Sequence, residues 1–182
     1  MTQTLKETYL KEIRPSLQKK LGITSVEAVP KIVKITVNTG SKDFKTDKEL
    51  LTKTKDWMGK ITGQAPLETK SRSSIAAFNL REGEVVGLKV TLRGNRMYDF
   101  LKKLISIVLP RLKDFQGISR STFDKGGNYT IGFPEQIVFP EVEYDKIGRI
   151  QGLEVTISTS AKDPKTSLML LQALGMPFTK EA

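Results

Sequence analysis

Val86-Gly87-Leu88-Lys89-Val90-Thr91-Leu92-Arg93 runs directly into Gly94-Asn95-Arg96-Met97-Tyr98-Asp99-Phe100-Leu101-Lys102-Lys103-Leu104-Ile105, and the hydrophobic period changes at the join. In the first part Val86, Leu88, Val90 and Leu92 alternate with Gly87, Lys89, Thr91 and Arg93, the period of a strand with one buried face. In the second, Met97, Phe100, Leu101, Leu104, Ile105 and Val108 share one face of a helix that starts near Asn95 and stops before Pro110. A half-polar strand followed by an amphipathic helix predicts an α+β, two-layer fold. Helices pack on the apolar face of a mostly antiparallel sheet and leave its other face open.

The same two periods recur on either side. Leu5, Tyr9, Ile13, Leu17 and Leu21 return every four residues in a first helix, where Pro15 is expected to kink the chain or open a new turn and Gly22 to end it. Thr46-Asp47-Lys48-Glu49 has the spacing of a capping box, with Thr46 as cap. It opens a helix that buries Leu50, Leu51, Thr54, Trp57, Met58 and Ile61 and stops at Gly63. A last helix begins at Asp163-Pro164, buries Leu168, Leu171 and Leu174 and ends at Gly175. Two further strands are expected, Val33, Ile35 and Val37 opposing Lys34, Thr36 and Asn38, and Leu153, Val155 and Ile157 opposing Glu154, Thr156 and Ser158. Gly126-Gly127-Asn128 reads as a tight hairpin turn. With 182 residues and 38% hydrophobic content, one domain over residues 1–182 is the expectation.

Composition narrows the function. The chain has no cysteine and no histidine, so disulfides, thiolate metal sites, imidazole triads and thiol nucleophiles are excluded. Its first 25 residues alternate charge with single apolar residues, which predicts a cytoplasmic protein with no membrane partner. Net charge is +10, and it is uneven: residues 1–120 hold 24 Lys/Arg against 12 Asp/Glu, residues 121–182 hold 6 against 8. A concentrated excess suits a polyanion-binding face. The polar half of the sheet supplies Lys34, Asn38, Lys89, Thr91 and Arg93, whose groups can donate to phosphates, ribose hydroxyls and base edges.

Two stretches carry an open choice. The segment from Lys70 to Glu84, with Lys70, Arg72, Ser73, Ser74 and Arg81, either reaches out to a phosphate backbone or is a flexible connection with Phe78 tucked into the core. Glu135, Glu141, Glu143 and Asp145 form the one dense acidic cluster. With Glu141 and Glu143 on one strand face, it is either the carboxylate site of a magnesium-dependent nuclease or phosphatase, or a solvated acidic edge or protein contact.

The run Met58-Gly59-Lys60-Ile61-Thr62-Gly63-Gln64-Ala65-Pro66-Leu67-Glu68-Thr69-Lys70-Ser71-Arg72-Ser73-Ser74 closely resembles the signature segment of bacterial-type large-subunit ribosomal protein five. The likeness continues through Ile35-Thr36-Val37-Asn38-Thr39-Gly40, Val90-Thr91-Leu92-Arg93-Gly94-Asn95-Arg96-Met97 and Phe123-Asp124-Lys125-Gly126-Gly127-Asn128-Tyr129 to Phe139-Pro140-Glu141-Val142-Glu143-Tyr144-Asp145-Lys146. The resemblance implies a non-enzymatic role without cofactors or metal. It implies binding of 5S rRNA in the central protuberance beside 23S rRNA and neighbouring 5S-associated proteins, contact with peptidyl-site tRNA, and a bridge to small-subunit ribosomal protein thirteen. Carried onto this chain, it puts Asn38, Gln64 and Thr91 at the 5S rRNA, with Lys34, Lys89 and Arg93 alongside by alternation. It puts Lys70, Arg72, Ser73, Ser74 and Arg81 at the tRNA, and Glu141, Glu143 and Asp145 towards the bridge partner. Two positions depart from the family pattern: Lys42 replaces a common second glycine, and Asn79 replaces a common basic residue after Phe78.

Overall fold

The computed structural model describes residues 4–113, 115–144 and 147–179. Five strands, β1 (Ile32–Gly40), β2 (Leu67–Lys70), β3 (Val85–Leu92), β4 (Tyr129–Phe133) and β5 (Leu153–Thr159), form one sheet in the order β2-β3-β1-β5-β4. β2 and β3 pair antiparallel, Leu67 opposite Lys89 and Thr69 opposite Gly87, with an irregularity between Thr69 and Lys70. The helices are α1 (Leu5–Thr8), α2 (Arg14–Leu21), α3 (Lys48–Thr62), α4 (Gly94–Lys103) and α5 (Pro164–Ala173), and the fold is the α+β class that the two periods predict.

The chain divides into two compact units. Unit 1 holds residues 1–35, 92–131 and 156–182, and unit 2 holds residues 36–91 and 132–155. In unit 1, α1 and α2 are one helix joined by a widened π turn at Tyr9–Ile13, where the Arg14 N–H reaches back to the Tyr9 carbonyl. Pro15 explains it: proline has no N–H to give the carbonyl four residues back, and its ring crowds that carbonyl, so the turn before it opens. α4 repeats the device, with a π turn at Leu104–Val108 and Pro110 just beyond. Tyr9 stacks on Tyr98 at 6.1 Å and donates its hydroxyl to the Pro30 carbonyl. Burial and the neighbouring Tyr98 push its phenol up to about 12.

The hairpin reading of Gly126-Gly127-Asn128 holds, with Phe123 bridged antiparallel to Tyr129 and the Asp124 carboxylate accepting from the Asn128 backbone and side chain. Gly127 has φ 76, and a Cβ there would stand 2.9 Å from the Asp163 carbonyl, so both conformation and space require glycine.

In unit 2, α3 buries Leu50, Thr54, Trp57, Met58 and Ile61 as its period predicts, with Leu51 half-buried, and Gly63 ends it at φ 65. Its cap is Asp47, not Thr46: Asp47 accepts from the Leu50 N–H, while the Thr46 hydroxyl donates to the Asp43 carbonyl. Val37, Leu88, Val90, Val155 and Leu153 point into the core. Gly87 is pressed between strands; a Cβ would lie 2.8 Å from both the Thr39 carbonyl and Thr69 Oγ1.

Val33 and Leu168 differ from expectation, as do Leu51, Val86 and Ile105, each half-buried where burial is expected. Val33 is 41% exposed and Ile32 is buried instead, so β1 alternates cleanly only from Ile35 on. Alternation assigns a side, but burial requires something on that side to cover it. In α5, Leu170, Leu171 and Leu174 are buried while Leu168 is half-buried.

Candidate nucleic-acid interface

The polar row of unit 2 is built on β1 and β3. Asn38 and Lys89 are exposed, and Thr36 and Thr91 half-buried, each alternating with a buried valine. Gln64 follows the left-handed Gly63 that ends α3, and its Nε2 donates to the Thr91 carbonyl at 3.4 Å. The helix stop thus brings Gln64 beside Thr91, joining two positions 27 residues apart. In unit 1 the corresponding polar positions are Lys34, half-buried on β1, and Arg93, exposed at the N-cap of α4. Thr130 and Thr156 share a hydroxyl contact of 3.1 Å in the same unit. Sequence reading missed Thr130, although Tyr129, Ile131 and Phe133 alternate with it and are buried. That run sits against the hairpin glycines and is short, which hid a five-residue strand.

The segment from Lys70 to Glu84 is not a loose connection. Ser71 and Glu84 are joined by a backbone bond, Ser71 accepts from Gly83, and Ile75 and Leu80 exchange both backbone bonds as an isolated bridge. Between them Ala76–Phe78 makes one tight turn, closed by Asn79 in the left-handed region at φ 48. Ser74 Oγ accepts from Glu82 N–H, and Glu84 Oε2 from Arg81 N–H. Phe78 is 73% exposed rather than tucked into the core, and Lys70, Arg72, Ser73 and Arg81 are exposed as well. The segment is a hydrogen-bonded arm with three cations and an aromatic ring outside it, held at its tip by Lys45 Nζ on the Asn79 carbonyl.

Among the described residues the acidic side chains do not gather into a metal site. Glu141 and Glu143 lie on no strand: residues 139–142 form a turn in which Val142 N–H bonds the Phe139 carbonyl, so the expected shared strand face is absent. Pro140 explains this, since it cannot donate to a ladder. Glu135 and Glu143 are exposed, Glu141 is half-buried, and Asp145 lies outside the described residues. Among the described residues no three acidic, histidine or cysteine side chains could hold a metal. The segment is instead anchored by Gln136, fully buried, whose side chain accepts from Gln151 N–H and donates to the Arg149 carbonyl. Sequence reading did not pick out Gln136; a polar residue between Pro134 and the apolar Ile137, Val138 and Phe139 was its only mark.

No helix among the described residues is long and apolar enough to cross a membrane. Elsewhere, side chains of unit 2 neutralise one another. Lys55 bonds Glu68 and holds that carboxyl below the usual range, chiefly through the hydrogen bond, and Lys60, paired with Asp56, is raised by its own hydrogen bond. Asn38, Lys89 and Thr91 carry no such partner among the described residues and face solvent with donors to spare.

Two family models match the chain: one described as ribosomal protein L5 over residues 25–81, the other as the C-terminus of the ribosomal L5P family over residues 85–178. The chain is 51% identical to the large ribosomal subunit protein uL5 of Limosilactobacillus reuteri over 180 residues, covering 99% of this chain and 100% of that one. It is 50% identical to the protein of the same name from Latilactobacillus sakei and 49% to that from Mycoplasma mycoides, at the same coverage. The polar sheet positions, the arm and the hairpin all fall within these matched stretches, and the chain belongs to the ribosomal protein L5 family.

Proposed function

We propose that this protein is a structural, non-enzymatic constituent of the large ribosomal subunit in the cytoplasm, acting over residues 1–182 as one RNA-binding domain. Its polar sheet positions, Lys34, Asn38, Gln64, Lys89, Thr91 and Arg93, bind 5S rRNA and help attach it in the central protuberance beside 23S rRNA. The arm carrying Lys70, Arg72, Ser73, Ser74 and Arg81 contacts peptidyl-site tRNA. The segment with Glu141, Glu143 and Asp145 bridges to small-subunit ribosomal protein thirteen.

The observation that carries this reading is the end-to-end match to relatives named large ribosomal subunit protein uL5. The exposed donors of β1 and β3 and the exposed cations of the arm suit such a role. Sedimentation of a native lysate tests the placement: the protein is expected in large-subunit and whole-ribosome fractions. A gel shift with purified 5S rRNA tests the partner. Protein confined to the top of the gradient, or indifference to 5S rRNA, overturns the reading.

A further inference from the structure

The net charge of this protein belongs entirely to one of its two units. Unit 1 carries 18 Lys/Arg against 8 Asp/Glu, whereas unit 2 carries 12 against 12. Among the described residues the ion pairs follow the same division: Lys53 with Glu49, Lys55 with Glu68, Lys60 with Asp56 and Arg149 with Asp43 lie in unit 2, and Arg14 with Glu27 in unit 1. In unit 1, Lys11, Lys19 and Lys20 on the N-terminal helix and Arg96, Lys102 and Arg111 on and just after α4 are exposed. Among the described residues none of the six has an acidic partner. These two helices belong together, joined by the Tyr9–Tyr98 stack and by Lys6 Nζ donating to Asn95 Oδ1.

Helix chemistry accounts for part of this placement. Lys19 and Lys20 lie in the last turn of α2, where a cation offsets the carbonyl end of the helix dipole by about 0.3–1 kcal/mol. That preference explains a lysine at a helix end, but not a net surplus of ten charges in one unit when the other is neutral. A net excess of one sign raises the self-repulsion of the folded state, a cost that is removed when a polyanion supplies the opposite charge.

We propose that the helices of unit 1 carry a second phosphate-binding surface, made by Lys11, Lys19, Lys20, Arg96, Lys102 and Arg111, which holds the backbone of double-helical RNA without reading its sequence. The inference rests on the RNA-binding function above and divides its labour: Asn38, Gln64, Lys89 and Thr91 of unit 2, with Lys34 and Arg93 at the ends of the same polar rows, fix a particular RNA, and the helices of unit 1 supply most of the salt-dependent part of the affinity. Lysine and arginine on helices, with no exposed aromatic among the six, suit phosphates rather than splayed bases.

The test compares two triple variants of the full chain with identical net charge. One is Lys19→Gln/Lys20→Gln/Lys102→Gln, in unit 1; the other is Lys48→Gln/Lys53→Gln/Lys60→Gln, in unit 2. Binding of 5S rRNA and of an unrelated duplex RNA is measured across a salt series, with thermal melts to establish folding. The unit 1 variant is expected to lower the slope of log affinity against log salt by about two to three and to weaken duplex binding roughly tenfold or more at low salt. Lysine-to-arginine changes at the same three positions should restore both, and the unit 2 variant should change little.

Equal losses from the two variants overturn the proposal, because net charge alone would then suffice. Wild-type binding of 5S rRNA but not of duplex RNA also overturns it while leaving the proposed function standing; failure with both RNAs removes the two together. Binding to phosphatidylglycerol vesicles in place of duplex RNA, lost in the same unit 1 variant, would assign the surface to lipid and refute the inference.

Discussion

Asn79 has a direct physical account. Its φ of 48 is a conformation that asparagine tolerates better than lysine or arginine, and its carbonyl is bonded by Lys45. Asparagine, where the resemblance leads one to expect a basic residue, therefore sits where the backbone itself favours it. Residue identity decides less clearly at the helix cap, where Thr46 and Asp47 adjoin and either fits a sequence pattern. The tie is broken by Asp43, whose carbonyl already takes the Thr46 hydroxyl. On the sheet the division is sharp: Val37 and Val90 are essentially inaccessible, while Asn38 between strand neighbours is exposed and Thr91 half-buried. Asn38→Ala and Thr91→Ala are expected to weaken 5S rRNA binding by about 1–3 kcal/mol each with little change in melting temperature. Gln64→Ala should do the same with a small stability loss, since its bond to the Thr91 carbonyl is long. Val37→Ala and Val90→Ala should instead destabilise by roughly 1–3 kcal/mol through lost burial and the cavity left behind. Gel shifts beside thermal melts separate the sets; polar variants that unfold as badly as the valine ones would invert the assignment of faces.

At the level of elements, the helices and three of the strands were legible because each keeps its period over several turns or alternations. What the sequence left open was decided by contacts between distant segments. Pro15 offered a kink or a restart, and the structure shows a third solution, a π turn that absorbs the missing donor. The acidic stretch looked like a strand until Pro140 and the Gln136 clamp fixed it as a turn. The sequence leaves the arm's conformation open; the Ile75–Leu80 bridge fixes its own fold and Lys45 ties its tip to the Lys42–Lys45 turn, with Phe78 exposed rather than in the core. A preformed arm loses little conformational entropy on contact, which suits the proposed assignment of tRNA to the arm and 5S rRNA to the sheet. Arg72→Ala/Arg81→Ala is expected to leave 5S rRNA binding and subunit assembly intact while weakening tRNA retention on rebuilt ribosomes, more so at low salt than at high. Filter binding of tRNA to those ribosomes, beside 5S gel shifts on the free protein, reads the two effects separately. Loss of 5S binding with normal tRNA retention would assign the arm to the 5S interface.

Across the whole molecule, charge was visible in the sequence but its partition was not, because β1, β3 and β5 each run from one unit into the other and no count along the chain follows that boundary. The same charges set how the fold responds to pH. With no histidine and no cysteine, no side chain titrates ordinarily near neutrality, so the melting temperature should be flat from about pH 6 to 8. Acid is different. Asp163 is held below the usual carboxylate range by backbone and side-chain bonds from Thr166, and Asp124 by its bonds from Asn128. A carboxyl whose folded pKa is depressed contributes stability above its unfolded value, and that contribution is lost as pH falls through the folded value. Protonation of the acids also leaves the Lys/Arg charge uncompensated, which acts in the same direction. Stability should therefore decline once pH drops below about 4. Asp163→Asn keeps an oxygen that can cap α5 but removes the charge, so it should lower the melting temperature at pH 7 and change it far less at pH 3. Melts of both proteins at the two pH values decide the point, and an equal deficit at each would mean that Asp163 acts through cap geometry alone.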